Sequence, residues 1–461
     1  MSKLDLNLFL LAMIKKKNLV FLLIFFLIIN CSFDDKTGIW AGSKKEKGRI
    51  SQLEKEQKKI IDVTKIYSSD NFYSKEIPLD QNISLSKPKK TLSWEMSGLN
   101  HQNFLGNIYL SGINEVFLKK KIGKSKFALS GVIASPLIIN NNIIFSDDRG
   151  TIYNISDKGN INWKKNIYKK VYKKIYKNLI FAIYQNNIYV ADNIGFIYAI
   201  SLSSGKLVWI KNHGIPLKSN IKVFDNKIFL INQDNRIFCL STKDGTKIWD
   251  IRSISSFIKS QNFLSLAVSK IGDVIVLNSS GDLFKAKGSN GDVHWSLNTS
   301  HSMLVDATDF FKSSEIVINN DDIIFSAGTS IFSYNLSNGK MNWEQELSSI
   351  GTPIIDGKNI FFVTENGYFV IMNKDTGKII SSNNILKILK RKKRTTKITG
   401  FILGSGKIYS VTLNGYLIVS SAVSGKVEFF KNIGDPIISA PIINNGKLFI
   451  LTKNYRIVGL N

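Results

Sequence analysis

The chain has 461 residues, 44% of them hydrophobic and 11% aromatic, which supplies a large core and excludes wholesale disorder. Its formal net charge is +27, from 62 basic and 35 acidic residues, and a count of two cysteines excludes a disulfide framework. The basic balance favours an acidic partner or an anionic surface, although a general abundance of Lys, Ile and Asn, as an A/T-biased genome produces, accounts for more of it than a dedicated basic site.

The N-terminus comes first in chain order. Lys15-Lys16-Lys17 precedes an unbroken apolar run from Leu19 to Ile29. A basic region, an apolar run of ~7–15 residues and a short polar end make a secretory signal, and the run is shorter than the ~20 residues a membrane-spanning helix needs. Met13 gives a more usual signal start than Met1. The stretch Leu27-Ile28-Ile29-Asn30-Cys31 resembles a bacterial lipobox. That resemblance implies a signal peptide over residues 1–30 and lipidation of Cys31 as the first mature residue. By the same resemblance, Ser32 implies the outer membrane. Residues 31–90 are charged and poor in strand pattern, as in Lys44-Lys45-Glu46-Lys47-Gly48, and predict a flexible tether with room for a short helix over Ile50–Lys65.

From residue 91 the chain repeats. Gly159 leads to Trp163, Gly205 to Trp209, Gly245 to Trp249, Gly291 to Trp295 and Gly339 to Trp343, with the same spacing each time. Gly377 to Ser381 and Gly425 to Phe429 continue the frame without the indole. Each glycine ends a turn after a strand-like run such as Phe196-Ile197-Tyr198-Ala199-Ile200. Asp-Gly and Asn-Gly between apolar runs predict tight antiparallel hairpins. A large ring at one place per unit is expected to pack on the next unit. The hairpins begin at Gly150, Gly195, Asn235, Gly281, Thr329, Gly367, Gly415 and Tyr455, and the last lacks its second strand. The strand-like Glu115–Lys119 supplies it, with Phe117 as far before Trp163 as Trp163 is before Trp209. Two further short strands precede each hairpin. Four strands per unit predict an all-β, eight-bladed β-propeller over residues 91–461, closed by N- and C-terminal strands that share one blade. The blade-docking residues are then Phe117, Trp163, Trp209, Trp249, Trp295, Trp343 and Phe429, with Ser381 as the departure.

The segment Ala199 to Trp209 resembles the pyrroloquinoline-quinone-type (PQQ-like) repeat with its tryptophan-docking motif. With the lipobox and the eight blades, residues 91–461 resemble the BamB family of outer-membrane protein assembly factors. Trp94 to Asn103 and Lys121 to Lys126 are similar to the region that opens the propeller in that family. The resemblance implies a non-enzymatic periplasmic scaffold lipoprotein of the outer-membrane β-barrel assembly complex, without a cofactor. Its implied partners are the periplasmic domains of the barrel insertase, with unfolded outer-membrane proteins as clients, and the chain would be a monomer within a hetero-complex. The family's insertase-binding loop carries a Leu-x-Leu-Arg pattern. Its counterpart is Ile215-Pro216-Leu217-Lys218, so Ile215, Leu217 and Lys218 are the implied contacts, with ordinary strand core as the competing reading of Ile215 and Leu217. Lysine there lacks the bidentate fork of arginine. The acidic pair that the family places in the following blade has no counterpart at Gln261-Asn262-Phe263-Leu264.

The residues offer little chemistry of their own. There is no vicinal cysteine pair, and Cys239 sits on an apolar strand as a core residue. His101, His213, His294 and His301 lack metal-ligand spacing. Asp147-Asp148, Asp192 and Asp234 recur before the inner hairpin strand and predict turns that bond their own backbone. Lys164–Lys177, interleaved with Tyr168, Tyr172 and Tyr176, and Lys387–Lys397 have a composition that can bind nucleic acid. In a secreted chain they are expected to be solvated loops, and no nucleic-acid partner is expected. Two alternatives stay open: a periplasmic PQQ-binding dehydrogenase and a propeller that binds envelope polysaccharide.

Overall fold

The structure, a computed structural model, describes residues 33–34, 39–40, 48–53, 55, 73–127, 133–252, 264–299, 312–347, 351–390 and 395–461. The signal segment and Cys31 lie outside these. Among the described residues, eight four-stranded antiparallel sheets form the blades of a β-propeller. In chain order they cover 137–165, 179–212, 222–252, 265–298, 317–346, 354–384, 398–432 and 442–460. The eighth is completed by Val116–Lys121, which pairs with Arg456–Leu460. The N- and C-terminal strands therefore share one blade, and closure leaves no blade edge open between the chain ends.

The strand sequences account for the layering. The middle strands, such as Asn187–Asp192 and Phe196–Ser201, are buried on both faces and read as near-continuous apolar runs. The fourth strands, such as Leu207–Asn212, have no buried residue or few and form the outer wall. Between the third and fourth strands the turn needs its glycine. Gly205 has φ +67, and a Cβ there would stand 2.7 Å from the Trp163 ring. A side chain at Gly205 would both strain the turn and displace the indole.

Five indoles repeat this contact. Trp163, Trp209, Trp249, Trp295 and Trp343 lie over Gly205, Gly245, Gly291, Gly339 and Gly377 of the following blades. Their Nε1–H groups donate to the carbonyls of Leu202, Thr242, Gly288, Leu336 and Lys374, at 2.8–3.1 Å. Two expected docking residues do not repeat this contact. A bulge between Val116 and Leu118 puts Leu118 opposite Gly459, the register that Trp209 holds opposite Ala199. Leu118 therefore meets Gly159, while Phe117 turns back onto its own blade against Phe449 and Gly459. Phe429 is 42% exposed, because the blade after it is closed by the chain ends, Glu115 and Asn461, instead of a glycine hairpin.

The non-repeating N-terminal segment is also placed. From Tyr73 on, the stretch predicted as tether lies on the propeller. Ile77 exchanges both backbone hydrogen bonds with Ser382 at 2.9 Å, an isolated β-bridge on the outer strand of blade 6. Ser381, where the indole is missing, donates its Oγ to Ile77 O at 3.1 Å. Leu79, Ile83 and Leu85 pack into the cluster between blades 6 and 7. The strap thus supplies apolar contact at the interface that lacks its tryptophan.

Residues 94–110 then enter the axial channel. Trp94 and Ile138 of blade 1 exchange backbone bonds, and Ile183 of blade 2 donates to Glu95 O. Lys222 of blade 3 donates its Nζ to Ser97 O at 2.6 Å and Asn100 O at 3.0 Å. Val268 of blade 4 and Ile318 of blade 5 donate to His101 O and Gln102 O. The segment leaves past Leu403 and Gly446. It acts as a plug that satisfies inner-strand groups facing the axis.

Candidate partner-binding face

The loop before blade 3 is the stretch singled out by resemblance. It is anchored on both sides: Leu217 N donates to Asp192 O at 3.1 Å, Lys218 N to Ile231 O at 2.9 Å, and Leu264 N to Lys218 O at 2.8 Å. Leu217 is 2% exposed and packs in the cluster of Met96, Ile221 and Leu230. It therefore fixes the loop from below and presents no surface to a partner. Ile215 and Lys218 are partly exposed beside it. Gly195 has its Cα against the backbone of Ile215, where a Cβ would meet Ile215 N and O at 2.8 Å. The neighbouring turn is held by Asp192, whose Oδ1 accepts from the N–H groups of Ile194, Gly195 and Phe196 at 2.8–2.9 Å. The result is a rigid rim between blades 2 and 3.

Part of this rim is met by the chain itself. Residues 48–53 are helical, with Ile50 and Leu53 buried. Arg49 donates to Ile194 O and, at 3.1 Å, to Gly214 O, next to Ile215. Nothing in the repeat predicts this contact.

The remaining sequence candidates resolve as follows. Asp147 accepts from Arg149 N, Thr151 N and the Tyr153 hydroxyl at 2.9–3.1 Å, so it too closes a turn. In blade 3 the turn acceptor is Asn232 rather than Asp234: its Oδ1 takes the N–H groups of Asp234 and Arg236 at 3.0 Å. Among the described residues no group of three or more His, Cys, Asp or Glu side chains is arranged to hold a metal ion. Cys239 is buried and its thiol is pushed up to about 12, which keeps it protonated and inert. His101 binds Val268 O at 2.8 Å through Nδ1, as part of the plug. The tyrosines of Lys164–Lys177 point inward: the Tyr168 hydroxyl donates to Asp192 at 2.5 Å, and Tyr172 packs edge-on against Phe196. They offer no open stacking platform. Residues 391–394, 261–263 and His301 lie outside the described residues. No helix among the described residues is long and apolar enough to cross a membrane.

Comparison with known proteins follows this geometry. The family model of the outer membrane protein assembly factor BamB matches residues 148–383, just over half of the chain. The protein of that name from Moranella endobia is 20% identical over 235 residues, covering 45% of this chain and 58% of the relative. Its namesake from Escherichia coli is 21% identical over 252 residues, covering 43% and 64%. The chain thus matches less than two thirds of the length of these relatives. The crystal structure of BamB from Moraxella catarrhalis superposes with a TM-score of 0.60 at 12% identity, over 74% of this chain and 99% of that one. A europium-containing methanol dehydrogenase superposes with a TM-score of 0.61 at 10% identity, over 81% and 90%. At such identities the structures share the fold and no more. The repeat, the closed ring and the profile match agree: the chain belongs to the outer membrane protein assembly factor BamB family.

Proposed function

We propose that this protein is a non-enzymatic scaffold of outer-membrane β-barrel assembly, lipid-anchored through Cys31 on the periplasmic face of the outer membrane. It binds the periplasmic domains of the barrel insertase and helps present unfolded outer-membrane proteins. The observation that carries this reading is the rim between blades 2 and 3. There Ile215 and Lys218 are partly exposed on a backbone fixed by Leu217 and Asp192. A loop that is rigid before binding loses little entropy on association. A membrane anchor raises the effective concentration of the partner.

The dehydrogenase alternative is weaker for a structural reason. Residues 94–110 run through the axis, and the space left beside them is bounded by the carboxylates of Glu315 and Glu365. The plug occupies part of the axial space that a quinone would need. Binding of insertase periplasmic domains to the full chain in mild detergent, followed by fluorescence anisotropy, tests the scaffold reading. Ile215→Asp with Lys218→Glu is expected to weaken binding at least tenfold while the melting temperature stays within a few degrees. Unchanged binding by that variant would move the interface elsewhere on the ring.

A further inference from the structure

Lysine is abundant throughout the chain, but its charge is not evenly placed around the ring. Residues 116–177 hold the outer strand of blade 8, all of blade 1 and the connection to blade 2, and carry 14 basic residues against three acidic ones. Of those three, Asp147 and Asp148 are buried, and Asp157 pairs with Lys447 at 3.3 Å. Blades 4 and 5, over 265–298 and 317–346, carry four basic residues against seven acidic ones. In a closed ring of eight, blades 4 and 5 stand opposite blades 8 and 1. A compositional bias raises lysine everywhere. It does not clear one side of exposed acids and give the other side an excess of them.

The lysines form one continuous surface. Lys119, Lys120 and Lys121 are exposed on the outer strand of blade 8. Lys120 lies against Gly159, next to the exposed Lys158 of blade 1: a Cβ at Gly159 would stand 2.9 Å from Lys120 Cδ. Lys126 Nζ donates to Lys173 O at 2.7 Å, which joins this strand and Lys124 to the exposed Lys170, Lys173 and Lys174. Three apolar side chains are exposed among them: Val116 on the same strand, Ile161 on the outer strand of blade 1, and Val171 beside Lys170. Basic side chains interleaved with exposed apolar ones suit a bilayer surface, where ammonium groups meet headgroup phosphates and apolar tips enter the boundary. Nucleic acid is the poorer fit. Lysine lacks the fork of arginine, and Tyr168 and Tyr172, which could stack bases, are turned inward.

We propose that this face, from the outer strand of blade 8 across blade 1 to Lys174, docks on a bilayer containing anionic phospholipid, with the acidic blades 4 and 5 turned away. The contact is separate from Cys31 and from the rim of blades 2 and 3. No bond is made or broken; the face is held by charge and by shallow apolar insertion.

The test is acetylation of the full chain by acetic anhydride, a neutral reagent, read lysine by lysine by mass spectrometry. The vesicles are phosphatidylcholine alone or with about 30% phosphatidylglycerol. At ~50 mM salt, Lys121, Lys124, Lys170 and Lys174 are expected to react at about one third of the rate or less on the anionic vesicles, and to lose that protection at ~500 mM salt. Lys270, Lys287, Lys312 and Lys340, exposed on or beside blades 4 and 5, are expected to react alike on both. Lys121→Glu, Lys124→Glu, Lys170→Glu and Lys174→Glu together are expected to abolish the protection of Lys119 and Lys173 with an unchanged melting temperature. The same change at Lys270, Lys287, Lys312 and Lys340 is expected to preserve it. Flotation with neutral vesicles reads the Cys31 anchor separately: a chain that floats only with anionic vesicles loses the anchor and keeps this face. Equal reactivity of Lys121, Lys124, Lys170 and Lys174 on the two vesicle types overturns the proposal. So does equal protection of both groups of lysines, or equally strong protection by a DNA duplex at the same phosphate concentration.

Discussion

Trp209 shows what one side chain does at a blade interface: its ring covers Gly245 and its Nε1–H donates to Thr242 O at 3.1 Å. Trp209→Ala removes both, and is expected to cost about 2–4 kcal/mol in denaturant unfolding, the lower part of the range for a buried tryptophan because the ring is only partly covered. Phe429 occupies the corresponding register of blade 7 but is 42% exposed, so Phe429→Ala is expected to stay within about 0.5 kcal/mol of the unaltered chain. Equal losses in the two variants would show that the docking contact is not what the indole contributes. At Gly205 the φ of +67 and the 2.7 Å approach to Trp163 act together. Gly205→Ala is expected to destabilise by more than about 1 kcal/mol, against the usual gain when glycine is replaced where φ is ordinary.

At the scale of elements, the strap and the rim each carry a consequence. Ile83 is 6% exposed in the cluster that spans blades 6 and 7. Ile83→Ala is expected to cost about 2 kcal/mol and to expose this pair of blades to limited proteolysis before the rest of the ring. Uniform proteolysis would show that the strap adds nothing where the indole is missing. Next to the rim, His213 is held below the usual imidazole value by burial, with Lys247 and Lys211 adding to the effect. The unfolded chain therefore takes up this proton first as the pH falls. The stabilisation is present above the unfolded value of 6.5 and is lost as the pH drops through the lower folded value. His213→Gln is expected to flatten the fall in stability as the pH drops below 6.5, measured as denaturant midpoint against pH. The docking register has a similar local origin. Counting 46 residues back from Trp163 selects Phe117, but Leu118 is the residue that meets Gly159. The step between docking positions is not constant, 40 residues from Trp209 to Trp249 and 48 from Trp295 to Trp343, because loop lengths differ, so a fixed count does not place a docking residue that lacks the indole.

At the scale of the molecule, what repeats was legible and what does not repeat was not. The glycine-to-tryptophan frame predicted eight blades and the shared closing blade, because each unit needs a neighbour to cover its sheet. The strap over residues 73–85 and the plug over 94–110 have no period, and their partners are backbone groups far away in the chain, such as Ser382, Val268 and Leu403. No local pattern announces such contacts. For the same reason Leu217 was an ambiguous candidate: an apolar residue before a strand looks alike whether it faces the core or a partner, and only the fold shows that it is buried.

The account rests on the ring acting as a docking platform in the envelope. The most direct measurement is a mild-detergent pull-down of the tagged full chain from native envelopes, with the co-purifying proteins identified by mass spectrometry. The account predicts recovery of a large outer-membrane barrel with periplasmic repeat domains, and its loss with the Ile215→Asp, Lys218→Glu variant. A preparation of the folded chain that brings down no barrel protein, from envelopes in which the insertase is abundant, would contradict it.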